Sequence, residues 1–334
     1  MKARCCALLL LLGQPALARD TPVKLPNPQV LLDEDAVSIG VVQADPQNAG
    51  MKAMLKVAWD TLQASGATSS GIFGVLSSLL RSSTQENLLL GFLPVQAVRV
   101  DHLDKDGSDH ASIMATAAGY QGYQSLFWNT LLIDSTGTPY PTVRLKTHTL
   151  IIRPRPGHDS TQAVAMTRFD GSVYSFPDAH RAEHLLEGHP RAPAEIVELL
   201  AEMDPKHYSY GVVLNKHNSL STFLTWINQS DYARVTQGVG ADKLKDALAH
   251  IEAVTWEADL VSDDQMNMQV RFRADDEAHA KTLSVVLKQA RQILKDAGRA
   301  RELQMTTVDR DVLLDLQMVG YRQMLVNYVR ALKF

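Results

Sequence analysis

VSIGVV at Val37–Val42 and YSYGVV at Tyr208–Val213 are two apolar runs with a glycine at the same place, 171 residues apart. How they are read decides how the rest of the chain is divided. Further on, VRVDHLDKDGSDHASIMATA from Val98 lies over TWEADLVSDDQMNMQVRFRA from Thr255 at an offset of 157. MTRFDGSV at Met166–Val173 then lies over MTTVDRDV at Met305–Val312 at an offset of 139. Three blocks in the same order, with a falling offset, are what a duplication leaves when the first copy carries the longer loops.

The second copy shows the pattern of each unit most plainly. Tyr208–Leu214 reads as a strand, and Leu220–Ile227 and Lys243–Ile251 as short helices, the latter after the glycine-rich TQGVGAD. Met266, Met268, Val270 and Phe272 alternate with Asn267, Gln269, Arg271 and Arg273, so a hairpin turning at SDDQ has one buried and one wet face. Asp275 is placed to cap a long helix whose Leu283, Val286, Leu287, Ala290 and Ile293 keep the spacing of one apolar stripe. Two strands, Leu303–Val308 and Val312–Met318, and a final helix complete the unit. The predicted fold class is α+β, as two tandem copies of an antiparallel sheet with helices packed on one face. The first repeat spans 19–187, with insertions near 65–95 and 135–160. A linker with a short helix follows at 188–207, and the second repeat occupies 208–334.

The N-terminus reads MKAR, then the apolar CCALLLLL, then Ala16-Leu17-Ala18, the layout of a cleavable secretory signal over 1–18. Cleavage after Ala18 removes Cys5 and Cys6, both cysteines of the chain, so the mature protein is expected to be disulfide-free, periplasmic or secreted, and without a transmembrane segment. The chain has 33 basic and 37 acidic residues; loss of Lys2 and Arg4 leaves 31 against 37. Neither sign forms long blocks, which speaks against nucleic acid as a partner.

One motif carries a specific chemistry. His180-Arg181-Ala182-Glu183-His184 is an H-x-x-E-H pattern, in which two imidazoles four apart on a helix hold Zn²⁺ and the glutamate polarises a bound water. These five residues resemble the motif of the inverzincin peptidases. The resemblance implies a zinc cofactor on His180 and His184 and a general base at Glu183, with Glu252 and Glu257 as candidate third ligands. The competing reading makes Asp178 the N-cap of an ordinary helix, His180 and Glu183 solvent-facing, and Leu185 and Leu186 the core contacts. At the 139 offset the second copy has Val319, Arg322 and Gln323 in these places, so the repeat folds without the chemistry.

Other segments are less specific. DHLDKDGSDH at Asp101–His110 lacks both anchoring carboxylates of a calcium loop and reads as a hairpin turn. GYQGYQSLFWN at Gly119–Asn129 puts its aromatics at core spacing. The insertion GIFGVLSSLLRSS offers Ile72, Phe73, Val75, Leu76, Leu79 and Leu80 as a contact surface for a partner or lipid. No nucleophile elbow or phosphate-binding loop occurs.

DAVSIGVV, AVAMTRFDGSVYSFPDAHRAEHLL and VTWEADLVSDDQMNMQVRFRADDEAHAKTLSVVLKQ together resemble a set of uncharacterised exported bacterial proteins built from two tandem α+β repeats. The resemblance implies fold and location, with no established activity. The expected function is therefore a soluble, non-catalytic binding or envelope-associated role without a cofactor. An unknown envelope protein or apolar ligand is the partner, and a zinc-dependent hydrolase the alternative. The expected contact surfaces are the open face of each sheet, the groove between the copies, and the apolar insertion.

Overall fold

The computed structural model describes residues 25–43, 95–104, 109–116, 134, 137–154, 161–166, 172–188, 190–216, 220, 229–262, 264–296 and 300–320. The apolar insertion with Ile72, Phe73, Val75, Leu76, Leu79 and Leu80, the aromatic run from Tyr120 and the expected final helix lie outside these residues.

Twelve strands are present among the described residues. They are β1 (Ala36–Gln43), β2 (Gln96–Leu103), β3 (Asp109–Thr116), β4 (Thr142–Arg144), β5 (Thr149–Pro154), β6 (Thr161–Met166), β7 (Ser172–Phe176), β8 (Ser209–Leu214), β9 (Ile251–Leu260), β10 (Gln265–Ala274), β11 (Ala300–Val308) and β12 (Asp311–Val319). All belong to one antiparallel sheet in the order β11-β12-β10-β9-β8-β1-β2-β3-β7-β6-β5-β4. This overturns the expectation of two tandem sheets. The strands expected to begin separate sheets, β1 and β8, pair with each other: Ser38 lies opposite Val213, Ile39 opposite Val212, Gly40 opposite Gly211, and Val41 opposite Tyr210. The physical reason is in the opening stretches themselves. A strand wet on one face alternates polar and apolar residues, whereas VSIGVV and YSYGVV are nearly continuous apolar runs, as strands covered on both faces are. Leaving either as an open edge would expose a row of unpaired backbone groups on an apolar strand.

By contact density the chain divides into two compact units, one of 35–61, 101–103 and 192 onward, the other of the remaining residues up to Arg191. In the former, the β1–β8 ladder is centred on its two glycines. The indole of Trp256, directly opposite Gly211 on β9, lies over both. A Cβ on Gly211 would overlap the ring and the carbonyl oxygen of Ile39, while one on Gly40 would meet the ring at 3.4 Å, an ordinary contact. The indole Nε1 donates to Ser209 Oγ at 3.3 Å.

Five helices are described: α1 (Ala179–Glu187), α2 (Ala194–Ala201), α3 (Gln229–Val239), α4 (Ala241–Ala249) and α5 (Glu277–Asp296). Leu283, Val286 and Ala290 of α5, with Val239 of α3 and Leu244 and Ala247 of α4, form one core with Val213, Val254 and Val312 of the sheet. Asp276, not Asp275, accepts the first-turn bond, from His279 N at 2.7 Å. Helix α3 was not anticipated, because VTQGVG reads as a loop. Gly238 sits inside it where a Cβ would collide with Ile293 of α5, so the glycine permits close helix packing instead of breaking the helix.

The expectation that helices occupy only one face is also corrected. Arg271 and Arg273 alternate with Val270 and Phe272, which face the α3–α5 core, and both guanidinium groups reach Glu202, just after α2. α2 therefore covers the opposite face, packing against β1 and β8 with Ile196, Leu199 and Leu200 buried. In the other unit, the insertion near 135–160 forms the hairpin β4–β5, which extends β6 and β7. α1 packs on β5, β6 and β7.

Gly211→Ala should destabilise the protein by about 1–3 kcal/mol through overpacking against a backbone oxygen that cannot move aside. Gly40→Ala should change stability by less than about 1 kcal/mol. Urea denaturation of both variants checks the contrast, and equal effects would contradict the placement of the indole.

Candidate functional site

Three groups of polar side chains stand out. The broadest lies on the face of β9, β10, β12 and β11 opposite the α3–α5 core. Register sets it: Asn267 is opposite Asp259 and Gln317, and Gln269 opposite Glu257 and Asp315. With Gln304 and His207 these residues line an open groove of ≈ 480 Å³. Gln269 Nε2 donates to Asp315 Oδ1 at 2.7 Å, and Gln317 Nε2 to Asn267 Oδ1 at 3.3 Å. At one end, Asp259 holds His207 Nδ1 at 2.7 Å and accepts from Tyr208 N at 3.1 Å, while Glu257 accepts from Asp204 N at 2.8 Å. The wet half of the hairpin alternation was legible in the sequence. The contributions of β9 and β12 were not, because they depend on register.

The second group surrounds the H-x-x-E-H motif. Asp178 caps α1, accepting from Arg181 N at 2.8 Å. The residues α1 buries are Arg181, Ala182 and Leu185, while His180 and Glu183 are exposed. His184 Nε2 lies 3.5 Å from Glu34 Oε2 at the surface. The inward-facing member of the motif is thus the arginine. Its guanidinium bridges the fully buried Asp33 and the carboxylate of Asp104, which also pairs with His110 Nε2 at 3.2 Å. Glu252 and Glu257, the candidate third ligands, lie on β9 with other partners: Glu252 pairs with Arg310 at 3.1 Å, and Glu257 faces the groove.

The third group was missed by sequence reasoning. Among the described residues, the one set of three side chains whose potential ligand atoms converge, all within 4.8 Å, is His250, Asp275 and His279. Its origin is local. β9 and β10 pair Ile251 with Ala274 after a register shift, so the residues just beyond, His250 and Asp275, become neighbours. His279 lies four residues after Asp275, one helical turn on, and so returns to the same spot. Asp275 Oδ2 is 2.9 Å from His250 Nδ1 and its Oδ1 is 2.7 Å from His279 Nδ1. The two imidazoles stack with centroids 3.5 Å apart and planes 7° from parallel. The hydrogen bond to Asp275 outweighs desolvation and raises the pKa of His250 above the usual histidine value. Desolvation works to raise the pKa of Asp275, yet the two imidazole hydrogen bonds prevail and hold it below the usual carboxylate range. The available signal was the D-x-x-x-H spacing at a helix start, with a histidine just before the first strand of the preceding hairpin.

Arg181→Met should cost about 3 kcal/mol or more in urea unfolding, because it removes the cation from a buried carboxylate. His180→Ala, on the exposed side of the same turn, should stay within about 0.5 kcal/mol of wild type. Loss of stability in both, or in neither, would contradict this assignment of inward and outward residues.

No protein-family model, curated protein or solved structure matches the chain.

Proposed function

We propose that this is an exported, non-catalytic binding protein that uses the polar face of β9, β10, β12 and β11 to hold an extended, donor-rich ligand of the cell envelope. The observation that carries this reading is the lining of the groove. Glu257, Asp259 and Asp315 supply carboxylates, Asn267, Gln269, Gln304 and Gln317 supply amides, and among the described residues neither lysine nor arginine lines it. Such a surface accepts hydrogen bonds more readily than it donates them. Small-molecule sites are concave and mostly apolar, whereas this groove is open and lined mainly by carboxylate and amide side chains. It fits a chain presenting hydroxyl or amine groups along a flat strand surface, as a glycan does. The signal-like N-terminus supports export, and no helix among the described residues is long and apolar enough to cross a membrane.

Glycan and basic-peptide arrays probed with the mature protein test the proposal. Retention of one ligand class is expected, weakened at least about tenfold, or ~1.4 kcal/mol, by the double variant Gln269→Lys/Asp315→Lys, which places cations where donors would approach. Equal binding by both proteins, or no retained ligand, would contradict it.

A further inference from the structure

We infer that His250, Asp275 and His279 bind one divalent transition-metal ion of the zinc class at the corner joining α4 to α5. The ligand chemistry selects the ion. Two imidazoles and one carboxylate suit Zn²⁺, Co²⁺, Ni²⁺ or Cu²⁺, whereas Ca²⁺ and Mg²⁺ seek an all-oxygen shell. The geometry is close to what such an ion needs. Donors about 2.0–2.2 Å from a tetrahedral metal stand ~3.3 Å apart, and here the carboxylate oxygens stand 2.9 and 2.7 Å from the two Nδ1 atoms. The stacked rings hold the two Nδ1 lone pairs side by side, so the ion enters as the stack opens and each ring turns its Nδ1 toward the carboxylate. Each Nδ1 becomes a ligand when it gives up its proton, to Nε2 of the same ring when the imidazole is neutral and to solvent when it is charged.

The backbone holds the donors in place before any ion arrives. Asp275 N donates to His250 O at 3.0 Å, fixing one element to the other. Asp276 caps α5 through His279 N, fixing the rotation of the helix that carries the second imidazole. His250 is the C-cap of α4, where the helix dipole favours a cation, and Asp276 Oδ1 lies 3.2 Å from His279 Nδ1. The three side chains are about one-third to two-fifths exposed, which leaves room for water to complete the coordination shell. The groove residue Asp259 lies toward the other end of the β9–β10 hairpin, so the ion would serve as a clamp on the helix junction, separate from ligand binding.

The test is a Co²⁺ titration of untagged mature protein after chelator treatment, followed by its visible absorption and competed with Zn²⁺. One equivalent should bind, Zn²⁺ should displace it and raise the thermal unfolding midpoint, and His250→Ala and His279→Ala should each weaken binding at least tenfold. His279→Gln, with far-ultraviolet circular dichroism of every variant, separates loss of a ligand from loss of fold. His184→Ala should bind as wild type. Absence of stoichiometric Co²⁺, binding indifferent to both His250 and His279, or binding lost only in His184→Ala would overturn the inference.

Discussion

The pairing of β1 with β8 is the constraint on which the sheet depends. An apolar strand carries two demands, cover for both faces and partners for its backbone groups; the pairing meets the second, and the layers packed on the ladder meet the first. The two glycines make the solution specific. Because Gly40 and Gly211 lie opposite each other, one indole can lie across the ladder on the side of α3–α5, while α2 closes the other side over Ile39, Val41, Tyr210 and Val212. Outward from this ladder, β8-β9-β10-β12-β11 and β1-β2-β3-β7-β6 follow the same order of connections.

The same arrangement shapes the candidate sites. With α3, α4 and α5 on one face and α2 packed on β1 and β8, no helix among the described residues covers the groove on the other face of β9, β10, β12 and β11, and its lining residues are polar except Met268 and Leu316. A rigid antiparallel ladder fixes the spacing of these side chains along and across the strands, as the proposed binding of an extended ligand requires. The His–Asp–His group arises from a different device, a register shift at a hairpin end followed by one helical turn.

Periodicity in the sequence revealed the elements more fully than their assembly. The alternation from Met266 to Arg273 and the stripe from Leu283 to Ile293 each describe one element facing one core, and local spacing is enough to read them. The single sheet escaped because strand pairing between residues 171 apart leaves no local spacing to read; the clue was the absence of alternation in VSIGVV and YSYGVV. Helix α3 escaped because a glycine that serves packing looks the same in sequence as one that ends a helix. At the motif, helical spacing put His180 and His184 on one side of a turn but could not show that Arg181 points inward to Asp33 and Asp104. The third group was hidden by the register shift between Arg273 and Ala274.

The β1–β8 register is most directly tested by disulfide trapping in a chain whose two cysteines, Cys5 and Cys6, are replaced by serine. Val42 lies opposite Ser209, so Val42→Cys/Ser209→Cys should form an intramolecular disulfide under mild oxidation, visible by mass spectrometry. Val42→Cys/Tyr210→Cys, one residue out of register and on opposite faces, should remain reduced. No cross-link in the first pair, or equal cross-linking in both, would contradict the single sheet.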